Sequence, residues 1–139
     1  MFHRILVGVD GVSSSDGALR LAARLAAPEA TIVVVHVLRA GGPTTIGHRP
    51  RLRLRERTTA VLERARELLG DRAGVEYLTP VAERVADGLH RVADGYRCDL
   101  IVVGASRRDG VAAAVLRGDA AATIRRAPCP VAVVPPLDG

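Results

Sequence analysis

Five short runs of branched apolar residues divide this chain, and a stretch with helical spacing separates each run from the next. The runs are residues 4–9, 31–37, 75–79 (reaching Val81 at most), 100–103 and 131–134. Strands that alternate with helices pair in parallel through right-handed crossovers, and near-continuous apolar runs mark strands covered on both faces. The pattern predicts an α/β chain: an open, Rossmann-like, five-stranded parallel sheet with helices on both faces.

Four helices fill the intervals. The first follows Ser13-Ser14-Ser15-Asp16, a Ser-x-x-Asp opening of capping-box type, and places Leu19, Ala22, Ala23 and Ala26 at helical spacing before Pro28. The second carries Val61, Leu62, Ala65, Leu68 and Leu69 and stops at Gly70. Its start is open: RLRLR at 51–55 alternates as an edge strand does, and it also reads as the beginning of the helix, with Leu52 and Leu54 as its first apolar positions. The third is expected over 82–95, with Val85, Leu89 and Val92 inward and Gly88 costing ~1 kcal/mol relative to alanine. The fourth lies within 113–126 and is closed by Pro128.

The 139 residues suit one domain spanning 1–139, and no run approaches the ~20 apolar residues of a membrane-spanning helix. The first ten residues lead straight into a strand without a signal-peptide pattern, so a cytoplasmic protein is expected. Cys98 and Cys129 precede two of the strands and read as small packed residues, not as a redox pair. The four histidines share no metal-ligand spacing, and no metal site is assigned. Net charge is +5, with no lysine, and segment 47–57 alone carries Arg49, Arg51, Arg53, Arg55 and Arg57 against Glu56.

In an open parallel sheet, ligands bind beyond the carboxyl ends of the strands, where the strand order reverses. Val9, Asp10 and Gly11 lie at one such end, Val37 at a second, and Val103 and Gly104 at a third. Asp10 suits a ribose hydroxyl or an adenine amino group, and it equally suits a turn cap on Val12 or Ser13. Gly104 permits either close approach of a ligand or a positive-φ turn. Arg107 and Arg108 beyond it offer phosphate contacts or form solvated surface. A Gly-x-Ser-x-Gly elbow, a Walker lysine and a cysteine with an evident base are all absent, which favours binding over catalysis.

Four segments, ILVGVDGVSSSDGALRLAARLA at 5–26, VVVHVL at 33–38, CDLIVVGAS at 98–106 and RRAPCPVAVV at 125–134, resemble the universal stress protein family in order and spacing. The resemblance implies strand order 3-2-1-4-5, a homodimer through Val131–Val134, and a non-catalytic stress-response or signalling role. It also implies a site for ATP or another adenine nucleotide, since Asp10, Val37, Val103 and Gly104 match positions that hold base and ribose in the family's ATP-binding branch. That branch carries Gly-x-x-Gly, nine residues, then Gly-Ser or Gly-Thr. Counted without a gap from Gly104, the pattern puts Arg107, Arg117 and Gly118 at the later positions. A one-residue shift, the preferred version, puts Gly118 on the third glycine and Asp119 on the hydroxyl.

Both alignments damage the phosphate site. Arginine at the second glycine adds bulk, and a carboxylate in place of a hydroxyl repels phosphate by on the order of 4 kcal/mol at ~4 Å and an effective dielectric of ~20. Retained adenosine recognition with weakened triphosphate binding is the expectation. Two other readings compete with it: a nucleic-acid or polyanion binder through 49–57, disfavoured because three aromatic residues leave little to stack on bases, and a weak nucleotide hydrolase of the similar adenine-nucleotide α-hydrolase group.

Overall fold

The computed structural model describes residues 1–10, 13–40, 48–105 and 118–135. Its strands are β1 (Phe2–Gly8), β2 (Ala26–Val35), β3 (Leu38–Arg39), β4 (Val75–Leu78), β5 (Val81–Ala82), β6 (Leu100–Gly104) and β7 (Val131–Val134). The helices are α1 (Ser13–Leu25), α2 (His48–Leu69), α3 (Val85–Gly95) and α4 (Gly118–Ile124). Five strands form one parallel sheet in the order β4-β2-β1-β6-β7, the order the family resemblance implied.

Period-two alternation builds two cores, one on each face of the sheet. Ile5, Val7, Ile32, Val34, Leu100 and Val102 face Leu19 and Ala22 of α1 and Val61, Ala65 and Leu69 of α2. Leu6, Val33, Val35, Ile101 and Val103 face Leu89 and Val92 of α3 and Ala120 of α4. Burying each such branched side chain contributes roughly 1.5–3 kcal/mol, so the central strands anchor everything at their ends. Cys98 is buried in the second core and Cys129 packs against it, both as free thiols.

Two boundaries differ from the sequence expectation. Ala26 belongs to β2, not to α1: Pro28 disfavours a helical Ala27, the helix ends at Leu25, and the chain turns extended at once. A register shift between the pairs Phe2↔Ala26 and Arg4↔Thr31 absorbs the extra residues. Residue 82 is likewise in a strand and not in α3, because its carbonyl accepts the Ala40 N–H at 2.8 Å and the helix waits for an extended Arg84. The resulting two-stranded β3-β5 sheet has no counterpart in the expected five. RLRLR at 51–55 is helical, inside α2.

Gly70 ends α2 in the left-handed region at φ 60°, donating to the Arg66 carbonyl at 2.9 Å. Gly74, at φ 75°, lies where a Cβ would stand 2.9 Å from the Ala30 carbonyl oxygen. These two glycines turn the chain from α2 into β4. Among the described residues, no helix is long and apolar enough to cross a membrane.

Candidate functional site

The sheet reverses direction between β1 and β6, and a cavity of about 70 Å3 opens there, beyond the strands' carboxyl ends. Val9 and Asp10 follow β1, His36 and Val37 follow β2, and Val103 and Gly104 end β6; all six line it. Val85 and Leu89 of α3 and Ala120 and Thr123 of α4 close the far wall. Hydrophobic walls with few polar groups are the usual composition of a small-molecule site, although drug-sized ligands fill about 300–1,000 Å3.

Five of the residues expected from the sequence therefore meet around one space: Val9, Asp10, Val37, Val103 and Gly104. Gly118 and Asp119 open α4, whose later residues line the same space. Gly11, Arg107 and Arg108 lie outside the described residues. Gly104 stands in strand conformation, paired with Val134, and is not among the positive-φ glycines, so of its two readings the turn drops out.

Asp10 is exposed, and its geometry is set by Ser15 in the first turn of α1. The Asp10 N–H donates to Ser15 Oγ at 3.0 Å, and the Ser15 hydroxyl donates to Asp10 Oδ1 at 2.8 Å. Ser15 is buried and part of the cavity wall, so the carboxylate is oriented from behind, and its exposed side can accept from a ligand. Burial of Ser15 was the missing signal, because a serine in a helical first turn reads as a cap.

His36 and Thr123 also escaped the sequence reading. His36 Nδ1 lies 2.9 Å from the Val9 carbonyl, which can only accept, so Nδ1 carries the proton. His90 Nε2 donates to the Thr123 carbonyl at 2.6 Å and ties α4 to α3 over the cavity. Sequence spacing gave no sign of either bond, since the partners stand 27 and 33 residues apart. Among the described residues, no three of His, Cys, Asp or Glu cluster to hold a metal.

A second groove, of about 220 Å3, runs behind Asp10 between α1 and α2. Arg64 there donates to the Asp16 carboxylate at 3.0 Å and to Glu67 at 3.3 Å, which raises its pKa, chiefly through the Asp16 hydrogen bond. Val9, Asp10 and Ser15 form the wall common to both spaces.

An open, Rossmann-like α/β sheet with its crevice at the β1–β6 switch point is the class these features define. The model of the universal stress protein family matches residues 1–135, and the chain belongs to that family. It is similar to a universal stress protein solved in complex with cAMP, at 23% identity and a TM-score of 0.73, covering 96% of this chain and 97% of that one. It is also similar to the universal stress protein from Archaeoglobus fulgidus in complex with dAMP, at 25% identity and a TM-score of 0.60, over 95% and 97% of the two chains. A family member from Arabidopsis thaliana with AMP bound gives 16% identity and a TM-score of 0.68, over 96% and 91%. No curated protein matches the chain significantly by sequence.

Proposed function

We propose that the protein is a single-domain, non-catalytic stress-response module that receives the adenosine end of an adenine nucleotide in the cavity at Asp10 and Gly104. The single observation that carries this reading is the convergence of Asp10, Val37 and Val103 on one apolar space, with the carboxylate held by Ser15. In this role Val37 and Val103 flank the base, and Asp10 accepts from a ribose hydroxyl or the adenine amino group. AMP, cAMP and dAMP in related structures share the adenine base.

The phosphate end is the weaker half. Counted from Gly104, the family's ATP-binding signature has Arg107 at its second glycine and, without a gap, Arg117 at its third, whereas the one-residue shift keeps Gly118 as the third glycine and puts Asp119 on the hydroxyl. A carboxylate and a bulky stem oppose a triphosphate more than a monophosphate, so ATP gains little over AMP. Residence in the cytoplasm and a homodimer through the half-buried edge strand β7 complete the proposal.

Calorimetry with AMP, cAMP and ATP at low salt tests it; tryptophan is absent, so intrinsic fluorescence reports little. The expected result is AMP binding that Asp10→Ala abolishes, with ATP within about threefold of AMP, a gap under roughly 1 kcal/mol. ATP binding more than about tenfold tighter than AMP, or ~1.4 kcal/mol, would overturn the weakened phosphate end. Absence of binding by all three would overturn the site. Steady hydrolysis of ATP that disappears in Asp10→Ala would overturn the non-catalytic role.

A further inference from the structure

Charge is sorted across the groove of about 220 Å3 between α1 and α2. Asp10 and Asp16 stand on the wall of α1 and the turn before it, and Arg57 and Arg64 stand on the wall of α2. Both helices return from the carboxyl ends of parallel strands, so they run in the same direction. One pair across the groove is closed, since Arg64 donates to Asp16 at 3.0 Å. A step of seven residues, about 10 Å, toward the start of α2 reaches Arg57 on the same helix face. The same direction along the other wall leads from Asp16 back to Asp10. Among the described residues the ion pairs are those of Arg64, and Arg57 forms none.

Nor can Arg57 pair along its own helix. The residues three and four positions away are Arg53, Leu54, Ala60 and Val61, none of them acidic. Its side chain is exposed beside a groove that buried Leu19 and Val61 also line. A guanidinium so placed is a receptor for an anion that the described chain does not supply. The Asp16 charge is answered by Arg64, which leaves Asp10 as the carboxylate that an entering anion meets. A simple anion gains at Arg57 and loses at Asp10. A molecule that carries a donor for Asp10 and an anionic group a few bonds further on gains at both, and a nucleoside monophosphate is such a molecule: its ribose hydroxyls donate and its phosphate accepts. Val9, Asp10 and Ser15 are shared by the groove and the cavity for the base, so a sugar held at Asp10 stands on the boundary between them.

We propose that Arg57 receives the phosphate of an adenine nucleotide whose base lies in the Asp10 cavity, so that the nucleotide crosses from that cavity into the groove between α1 and α2. The inference rests on the adenosine site proposed above. It gives the phosphate a receptor in a chain that has Arg107 at the second glycine of the family's ATP-binding signature.

Calorimetry of the full chain with adenosine and with AMP tests it. AMP is expected to bind about tenfold or more tighter than adenosine, the size of one charge-assisted hydrogen bond. Arg57→Gln, which keeps helix propensity, is expected to bring AMP down to the affinity of adenosine while adenosine itself is unchanged, and that unchanged binding shows the variant to be folded. Arg57→Lys retains part of the preference as a point charge. Arg55→Gln removes the same charge from an exposed position outside the groove and retains the whole preference. Adenosine bound as tightly as AMP, a preference that survives Arg57→Gln, or an equal loss in Arg55→Gln would each overturn the role of Arg57 and leave the adenosine cavity standing. A preference lost in Arg107→Gln instead would place the phosphate after Gly104 and overturn it as well. No binding of either ligand would overturn the cavity and the phosphate position together.

Discussion

The hydroxyl of Ser15 donates to the carboxylate of Asp10 at 2.8 Å while accepting the Asp10 N–H at 3.0 Å, so one buried side chain fixes both the backbone and the charge at the mouth of the cavity. Ser15→Ala removes both bonds at once. It is expected to lower stability by about 1–2 kcal/mol and AMP affinity by about 2–10-fold, with Asp10 still present but unaligned. Denaturation and calorimetry read the two effects; unchanged affinity in a destabilised variant would show that alignment is not what Ser15 supplies.

Gly88 in α3 touches the same site from below. A Cβ there would stand 2.8 and 2.9 Å from the two Cγ atoms of Val37, a β-branched side chain with little freedom to yield. Gly88→Ala gains ~1 kcal/mol of helix propensity and is opposed by overpacking of roughly 1–3 kcal/mol, so the expected net effect is destabilisation together with weaker nucleotide binding. A variant more stable than wild type in urea would contradict the close packing of α3 beneath Val37.

Burial pushes the Cys98 thiol up to about 11, and neighbouring Cys129 and Asp99 push in the same direction. Its folded form therefore holds the proton more tightly than the unfolded chain does. The stability this contributes is complete below the ordinary thiol range near 9 and is lost as pH rises through about 11. Thermal melts under reducing conditions between these pH values should fall more steeply for wild type than for Cys98→Ala. Parallel curves would remove Cys98 as a source of the alkaline loss.

Asp99 joins the starts of two neighbouring strands. Its carboxylate accepts the His3 N–H at 2.9 Å and the Arg4 N–H at 3.0 Å, closing the edge of β1 just before β6 begins. Asp99→Ala is expected to cost about 1–2 kcal/mol and to accelerate hydrogen exchange at both amides, whereas Asp99→Asn keeps one acceptor and loses less. Equal exchange rates in wild type and Asp99→Ala would show that the two bonds carry no stability.

Much of this architecture could be read along the chain because it rests on short-range regularities. The sequences ILV, IVVV and LIVV announce strands covered on both faces, and Val61, Leu62, Ala65 and Leu69 announce one face of a helix. Strand order required the likeness to a family, since apolar runs state where strands are and not which neighbours they take. RLRLR satisfied two periodicities at once, and only the continuous helix from His48 to Leu69 separates them. The β3-β5 pair escaped notice because two residues per strand carry no period at all.

Candidate site residues divide along the same line. Val9, Asp10, Val37, Val103 and Gly104 were visible because strand ends in a parallel sheet converge by topology, whatever their side chains. Ser15 behind Asp10, the Val9 carbonyl that sets the His36 proton, and the His90 bond to Thr123 were not, because each depends on where two elements pack. Hydrophobic periodicity is written locally and determines elements, their faces and the end of the sheet at which a ligand can sit. Hydrogen bonds between residues distant in sequence arise when those faces are pressed together, so the orientation of the carboxylate, the histidine tautomer and the closeness of Gly88 to Val37 were decided by tertiary structure alone.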